Sequence, residues 1–314
     1  MACVAGASFA LVAGARALVQ RPRAAALAAG LVALPLLAAG CGSAGGDTEK
    51  VDIVATTTQL GDFVREVGGE AVAVDQILQP NSDPHDYEPR PSDVEGAASA
   101  EVIFASGDNL DAWIGEIVSD SGSDAKVVDL GAEVPVRLPG ESSGEEASKY
   151  DPHWWHDPRN AEAAVREIER ALAAADPAHR PAFERNARAY LAKLRALDRG
   201  IARCIDSVPP TRRKLAVIPS QTTQAQASAQ DLSELAKTIE AEDVQAIFPE
   251  SSLSSKVADA IADQTGASAE YTLYGDTLGP EGSSGDTYIG MEEANADAMV
   301  RGFTGGERGC NPSD

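Results

Sequence analysis

The sequence predicts an α/β protein with two lobes of parallel sheet and flanking helices, joined by one long rigid helix. Three observations support this fold class. Short β-rich runs alternate with helical runs between residues 51 and 130, which is the pattern of a parallel sheet. One long amphipathic stretch follows Pro181 and reaches about Asp206. A second and thinner alternation of strands and helices comes after it.

The first lobe begins with VDIVATTTQ, a β-rich run that suits a buried strand. LGDFVREVGGE then predicts a short helix that ends at Gly68 and Gly69. Two more helices are expected, one starting at Ser92 and Asp93 and one in DAWIGEIVSD. The other predicted strands are VAVDQIL, EVIFASG and AKVVDLG.

Two helices lead out of this lobe. Asp157 is a good N-cap and Pro158 a good first-turn residue for the helix PRNAEAAVREIERALAAAD. In the long helix that follows, apolar residues recur at spacings of three and four, which predicts a buried stripe along a connector between the lobes. These residues are Phe183, Ala187, Tyr190, Leu194, Leu197, Ile201 and Ile205.

The second lobe shows fewer elements than the first. Its predicted strands are RRKLAVIPS, VQAIFPE and AEYTLY, and its predicted helices are DLSELAKTIEAE and SLSSKVADAIADQTG. The complete predicted organisation is a signal peptide at 1–40, a flexible tether at 41–50, an N-terminal lobe at 51–160, helices including the connector at 161–206, and a shortened C-terminal lobe at 207–314.

The N-terminus has the features of a targeting segment. Arginines at 16, 21 and 23 precede the apolar stretch AAALAAGLVALPLLAAG, which ends at Cys41. LLAAGC resembles a bacterial lipoprotein signal, in which Cys41 is lipidated and becomes the first mature residue. An ordinary secretory signal with an incidental cysteine and a plain anchor helix are the alternatives.

The net charge and the cysteines limit the classes of protein to which this sequence can belong. The formal net charge is −23 and becomes −26 without the signal, which holds three arginines and no acids. Such a chain lacks the basic surface that nucleic-acid binding needs. The acidity favours cations near the surface, although it also fits plain solubility.

Cys204 and Cys310 remain after export, and a disulfide is the simplest prediction for such a pair.

Two of the four histidines lie in matched Asp-Pro-His frames. His85 occurs in DPHDYEP and His153 in DPHWWHDP. Proline before each histidine stiffens the backbone, and neutral imidazole is a common metal ligand. The pattern therefore predicts a metal site, and loop histidines with hydrogen-bonding roles are the alternative.

These residues resemble the metal-binding lipoproteins that serve as solute receptors for zinc or manganese ABC importers, also called the cluster 9 or adhesin-type family. The resemblance covers roughly residues 49–303. It rests on VATTTQLGDFVREVGGE, LQPNSDPHDYEPRPSD, DPHWWHDPRNA, QDLSELAKTIEAEDVQAIFPESS, and LYGDTLGPEGSSGDTYIGM followed by Asn295.

The resemblance implies metal-ligand roles for His85 and His153 from the first lobe and for Asp276 from the second. Without the family resemblance, Asp276 would be better explained as a turn residue beside Gly275 and Gly279. Imidazole and carboxylate ligands suit Zn²⁺ and also Mn²⁺, and we expect zinc ahead of manganese as the transported ion.

The second lobe departs from the family pattern. A further ligand, usually His or Glu, is expected from a loop early in that lobe, but no histidine follows His179. A segment of about one βα unit is missing by this comparison. Glu250 is a candidate replacement ligand, and a helix-capping role for it is equally consistent. His156 is a second candidate, although a polar role beside Asp157 explains it better.

Outer partners of the ligands are expected among nearby acids, because metal-bound imidazoles usually donate their other N–H to a carboxylate or carbonyl. Asp86, Glu88 and Asp157 are the candidates, and the sequence does not choose between them. Trp154 and Trp155 are expected to pack under the second histidine loop and fix the His153 ring.

The sequence therefore predicts a non-enzymatic, extracytoplasmic receptor that binds a divalent metal in a cleft between the lobes and delivers it to an ABC permease. It is expected to be a monomer held on the outer face of the cytoplasmic membrane by its lipid alone. A zinc-dependent hydrolase is one alternative, but the chain has no HExxH motif. A surface adhesin and a binding-defective shortened relative are the others.

Overall fold

The computed structural model describes residues 50–140, 142, 147–213, 229–251 and 255–314. The predicted signal peptide with Cys41, most of the tether and all but the first two residues of the predicted strand RRKLAVIPS lie outside this range. The described residues belong to one compact unit. None of the helices in the described part of the chain combines the length and the apolar character that crossing a membrane requires.

Four parallel strands form the sheet of the first lobe, as the alternating pattern predicted. They are β1 (Val51–Ala55), β2 (Val72–Gln76), β3 (Val102–Ala105) and β4 (Lys126–Asp129). Their order across the sheet is β2-β1-β3-β4, so the chain reverses its direction of travel between β1 and β3. The carboxyl ends of strands at such a switch point are the usual ligand-binding edge of an open α/β sheet.

Helices α1 (Thr58–Gly68), α2 (Pro91–Ser99) and α3 (Ile114–Ser121) flank this sheet. The Thr57 side chain caps α1 at its start, and Gly69 ends it with a φ of 57°, which glycine adopts at little cost. The prediction placed the start of α2 one residue late. The helix begins at Pro91, and Asp93 in its first turn accepts a hydrogen bond from the Arg90 N–H.

Helices α4 (Pro158–Ala175) and α5 (Arg180–Asp206) pack side by side, and α5 is the predicted long connector. The Asp157 side chain caps α4 as predicted. The buried face of α5 follows the predicted stripe as far as Leu197 and then continues through Gly200 and Cys204. Ile201 and Ile205 are only partly buried.

The second lobe contains α6 (Ala229–Glu242), α7 (Lys256–Thr265) and α8 (Tyr288–Phe303) among its described residues. The runs VQAIFPE and AEYTLY meet through two isolated parallel bridges, Ala246 with Ser268 and Glu250 with Leu273. The sequence did not predict α8. This helix packs against the connector α5 and against α1, so it joins the second lobe to the first.

Short 3₁₀ segments complete the described structure at Gly69–Ala71, Gly131–Glu133, Trp154–His156 and Pro210–Arg212. The largest apolar core runs from the sheet through α1, α4 and α5 to Leu278, Tyr288 and Met291. A smaller core lies between α6 and α7. A disulfide joins Cys204 near the end of α5 to Cys310 in the C-terminal tail.

Candidate metal site

His85, His153 and Asp276 converge at one point, with one ligand atom of each within 4.8 Å of the others. The two imidazole Nε2 atoms are 3.2 Å apart. The Asp276 carboxylate lies 3.2 Å from the His153 Nε2 atom and 4.0 Å from that of His85. No other group of three metal-ligating side chains occurs among the residues that the structure describes.

The Asp-Pro-His frames explain how both histidines are presented. The Asp83 carboxylate accepts a hydrogen bond of 2.9 Å from the His85 backbone N–H, and Asp151 does the same for His153 at the same distance. Each frame is therefore a side-chain turn in which aspartate closes over the proline. The Trp113 indole N–H also donates to the Pro84 carbonyl and secures the first loop.

Asp151 holds the His153 ring as well as its backbone. Its carboxylate lies 2.8 Å from the His153 Nδ1 atom, which leaves Nε2 facing His85 and Asp276. The acids predicted from the sequence for this role were Asp86, Glu88 and Asp157, and Asp151 was not among them. The signal was available, because the aspartate two positions before each histidine is part of the frame itself.

Burial and charge act against each other on the site's ionisable groups. Burial lowers the pKa of His153, but its hydrogen bonds to Asp151 and Asp276 outweigh that effect and raise the pKa to about 10. Burial raises the pKa of Asp276, while the hydrogen bond and charge of His153 and the charge of His85 bring it below the usual value. Both pKa shifts favour the charged forms of these two side chains.

Asp276 is buried at the start of a loop of the second lobe. Its backbone N–H donates to Glu250 over 3.2 Å, and its carbonyl accepts from the Gln59 side chain over 3.0 Å. Glu250 therefore supports the Asp276 backbone, and its predicted role as a metal ligand stays a prediction. The side chains of His85 and Asp276 are 8% and 9% exposed and that of His153 is 32% exposed, so the site opens on the His153 side.

The two tryptophans of the second frame are buried, as predicted. The Trp155 ring meets the His153 ring edge-on with centroids 5.4 Å apart. Its indole N–H donates to the Gly275 carbonyl over 3.1 Å, and its own carbonyl accepts from the Tyr288 hydroxyl over 2.6 Å. The Trp154 indole N–H instead donates to Ser106 within the first lobe.

The remaining polar candidates of this loop lie outside the group of three. His156 pairs with Glu292 of α8 at 3.1 Å, which is neither of the roles that the sequence suggested for it. Asp157 caps α4 and pairs with Arg159 instead of contacting a ligand ring. Two nitrogens and one carboxylate remain as the donor set, which suits a divalent transition metal.

Comparison with known protein families gives one match over most of the chain. The family is described as zinc-uptake complex component A, periplasmic (ZnuA), and it matches residues 53–220 and 215–302. The two matched pieces overlap at residues 215–220, at the start of the second lobe.

Relatives of known function match over nearly their full length. A manganese-binding lipoprotein, MntA, of Halalkalibacterium halodurans is 27% identical over 296 residues, covering 87% of this chain and 97% of the relative. An iron ABC transporter substrate-binding lipoprotein, MtsA, of Streptococcus pyogenes is 28% identical, covering 85% of this chain and 94% of the relative.

Among solved structures, the periplasmic zinc-binding protein TroA of Treponema pallidum is similar, with a TM-score of 0.72 and 29% identity. The match covers 81% of this chain and 99% of that one. The two-lobe α/β fold predicted from the sequence is therefore confirmed.

Proposed function

We propose, from the premise that the chain belongs to the ZnuA family of periplasmic zinc-uptake components, that His85, His153 and Asp276 bind its cargo. The chain is a substrate-binding receptor of an ABC importer for divalent metal and not an enzyme. The observation that carries the proposed site is the convergence of three ligand atoms within 4.8 Å.

We propose Zn²⁺ ahead of Mn²⁺ as the ion. Relatives are named for zinc, manganese and iron, so kinship supports a divalent metal without choosing one. Two imidazoles and one carboxylate bind zinc more tightly than manganese by the usual order of divalent affinities. Binding releases protons because the ligands must be deprotonated, so affinity falls as the pH drops.

Delivery requires a permease in the membrane, which receptors of this class serve from outside. We propose that Cys41 carries a lipid that tethers a monomeric receptor to the outer face of the cytoplasmic membrane. The lipoprotein names of the relatives support this arrangement. A Gly/Ser-rich tether over residues 42–50 would give the folded part reach from the membrane surface.

We propose that the second lobe lacks a stretch that its relatives have. The alignment with the manganese-binding relative spans 296 residues, whereas only 87% of this 314-residue chain is aligned. That share amounts to fewer than 296 residues, so the relative has residues for which this chain has no counterpart. We place the gap near residues 215–220, where the two family matches overlap. Residues 214–228 contain no His, Cys, Asp or Glu, so this part of the sequence offers no side chain that commonly binds zinc.

Calorimetric titration of the purified protein with Zn²⁺ and then Mn²⁺, with melting curves in parallel, tests the proposal. One-to-one binding that raises the melting temperature is the expected result, because a ligand that binds only the folded state stabilises it. The double variant His85→Ala/His153→Ala serves as the control and should show neither effect. A cooperatively folded wild-type protein that binds no metal would identify a binding-defective relative and refute the proposal.

A further inference from the structure

The segment that carries Asp276 belongs to the second lobe in sequence and bonds there to Glu250, but four of its hydrogen bonds run to the first lobe. The Gln59 side-chain amide donates to the Asp276 carbonyl over 3.0 Å. The Trp155 indole N–H donates to the carbonyl of the preceding residue, Gly275, over 3.1 Å. The backbone on both sides of the Asp276 Cα atom is therefore held from the first lobe.

Two more bonds continue this attachment along the same segment. The Leu278 N–H donates to the Thr58 hydroxyl over 2.8 Å. The Thr277 hydroxyl accepts from the Asn81 N–H over 3.0 Å. Residues 275–278 are thus bonded to the first lobe at four successive positions.

Trp155 and Gln59 are the two side-chain donors of this set, and both are fully buried. Hydrogen bonds in such a dry environment are stronger than exposed ones and fix geometry more tightly. Trp155 makes two contacts at the site. Besides its bond to the Gly275 carbonyl, its ring packs edge-on against the His153 ring, with the ring centroids 5.4 Å apart. One indole therefore touches one proposed ligand and holds the backbone beside another.

We propose that Trp155 and Gln59 are positioning residues that hold Asp276 against His85 and His153, so that the three ligands form a set assembled on the first lobe. This inference rests on the proposed function. It explains how a receptor with a shortened second lobe retains its carboxylate ligand. A ligand set that is held in place before binding loses less conformational freedom when the metal arrives, which raises affinity.

The neighbouring tryptophan provides a matched control. Trp154 is also buried, at 4% exposure, and its indole N–H also donates to a backbone carbonyl, over 3.0 Å. Its acceptor, Ser106, belongs to the first lobe rather than to the Asp276 segment. Replacing either tryptophan with phenylalanine removes one indole N–H and the same volume.

Zinc affinity is compared for the wild-type protein, Trp155→Phe and Trp154→Phe by competition with a chromogenic chelator, with melting curves for each. Trp155→Phe should weaken affinity about tenfold, the effect of losing one buried hydrogen bond that positions a ligand. Trp154→Phe should lower the melting temperature by a similar amount and change affinity by less than about threefold. Gln59→Met should behave like Trp155→Phe, and it carries the test if Trp155→Phe does not fold.

A double-mutant cycle with Asp276→Asn separates positioning from a general structural defect. If Trp155 acts through Asp276, adding Trp155→Phe to Asp276→Asn should reduce affinity much less than it does alone. Equal affinity losses in both backgrounds, or equal losses for the two tryptophan variants, would overturn the inference and leave the proposed function standing. A folded wild-type protein that binds no zinc would overturn both.

Discussion

The Asp-Pro-His frame does three things with three residues in each of the two histidine loops. The aspartate closes a turn onto the histidine N–H, the proline stiffens that turn, and the histidine projects from it. At Asp151 the same carboxylate also fixes the ring through Nδ1. A short local motif thus sets both the position and the orientation of a proposed ligand.

Substituting the two histidines should weaken metal binding more than substituting Glu250. His85→Ala and His153→Ala each remove a proposed ligand, so each loss should exceed the about 10–100-fold typical of an outer partner. Glu250→Ala removes a bond to the Asp276 backbone and should stay within that range. Zinc affinities from chelator competition provide the measurement. Equal losses in all three variants would make Glu250 a ligand.

The sequence pattern was sufficient to predict that the two histidines belong to one site. It was not sufficient to predict which other residues lie beside them. His85 and His153 were identified because the same rare frame occurs twice in one chain. Asp276 was found only through the family resemblance, since an aspartate between turn residues has no distinctive local signal. The contacts of Trp155 and Gln59 with residues 275–276 join positions 120 and 217 apart in sequence, which no local pattern encodes.

At the scale of elements, α8 is a helix that the spacing of apolar residues does not predict. The apolar pattern of the sequence predicted no helix over Tyr288–Phe303, and the helix found there carries Glu292 and Asn295 as buried polar residues. Asn295 binds both backbone groups of Tyr274 and so secures the chain just before the Asp276 loop. Polar residues on the buried face obscure an apolar stripe, and their partners come from distant loops.

The disulfide ties the far end of the connector to the C-terminal tail. Cys204 and Cys310 are separated by 106 residues, so the bridge restricts a large part of the unfolded chain. The double variant Cys204→Ser/Cys310→Ser should lose about 2–5 kcal/mol of unfolding free energy in denaturant titration. Reducing agent should destabilise the wild-type protein similarly and leave the variant unaffected. A variant as stable as the oxidised wild type would contradict this prediction.

Asp62 lies where α1 meets α5 and α8, and it accepts hydrogen bonds from the Tyr190 hydroxyl and the Tyr288 N–H. Burial raises its pKa from 3.8 to about 6, against the lowering effect of these bonds. The folded state therefore binds more protons than the unfolded state between these values. The free energy of unfolding should fall as the pH rises from about 4 to 6.

Asp62→Asn should remove that slope because asparagine does not titrate. Relative to the wild-type protein, the variant should gain on the order of 1–3 kcal/mol between pH 4 and pH 7. Urea titrations of both proteins across this range measure the difference. A constant difference at every pH would show that Asp62 titrates normally.

For the whole molecule, the parallel sheet of the first lobe could be predicted because short β-rich runs alternate with helical runs, and the central strands β1 and β3 are almost entirely buried. The second lobe gives a weaker signal for a physical reason. Its described strand segments pair through single bridges, so short runs such as VQAIFPE depend on their neighbours for their conformation. The signal peptide was predicted from its arginines, its apolar stretch and LLAAGC, and it lies outside the described residues together with most of the tether.

The charge of the whole chain leads to a last prediction about the rate of metal capture. A formal net charge of −23 attracts cations from a distance. Salt screens this attraction, since the Debye length is about 10 Å at 0.1 M. The association rate of Zn²⁺ should therefore fall several-fold as perchlorate rises from about 0.01 to 0.5 M. The dissociation rate should change little, because the His85 and Asp276 side chains are shielded from solvent. Stopped-flow tryptophan fluorescence can follow both rates, since Trp155 contacts the His153 ring. If salt instead acted mainly on the dissociation rate, the short-range contacts at the site would control capture, and the acidic surface would serve solubility alone.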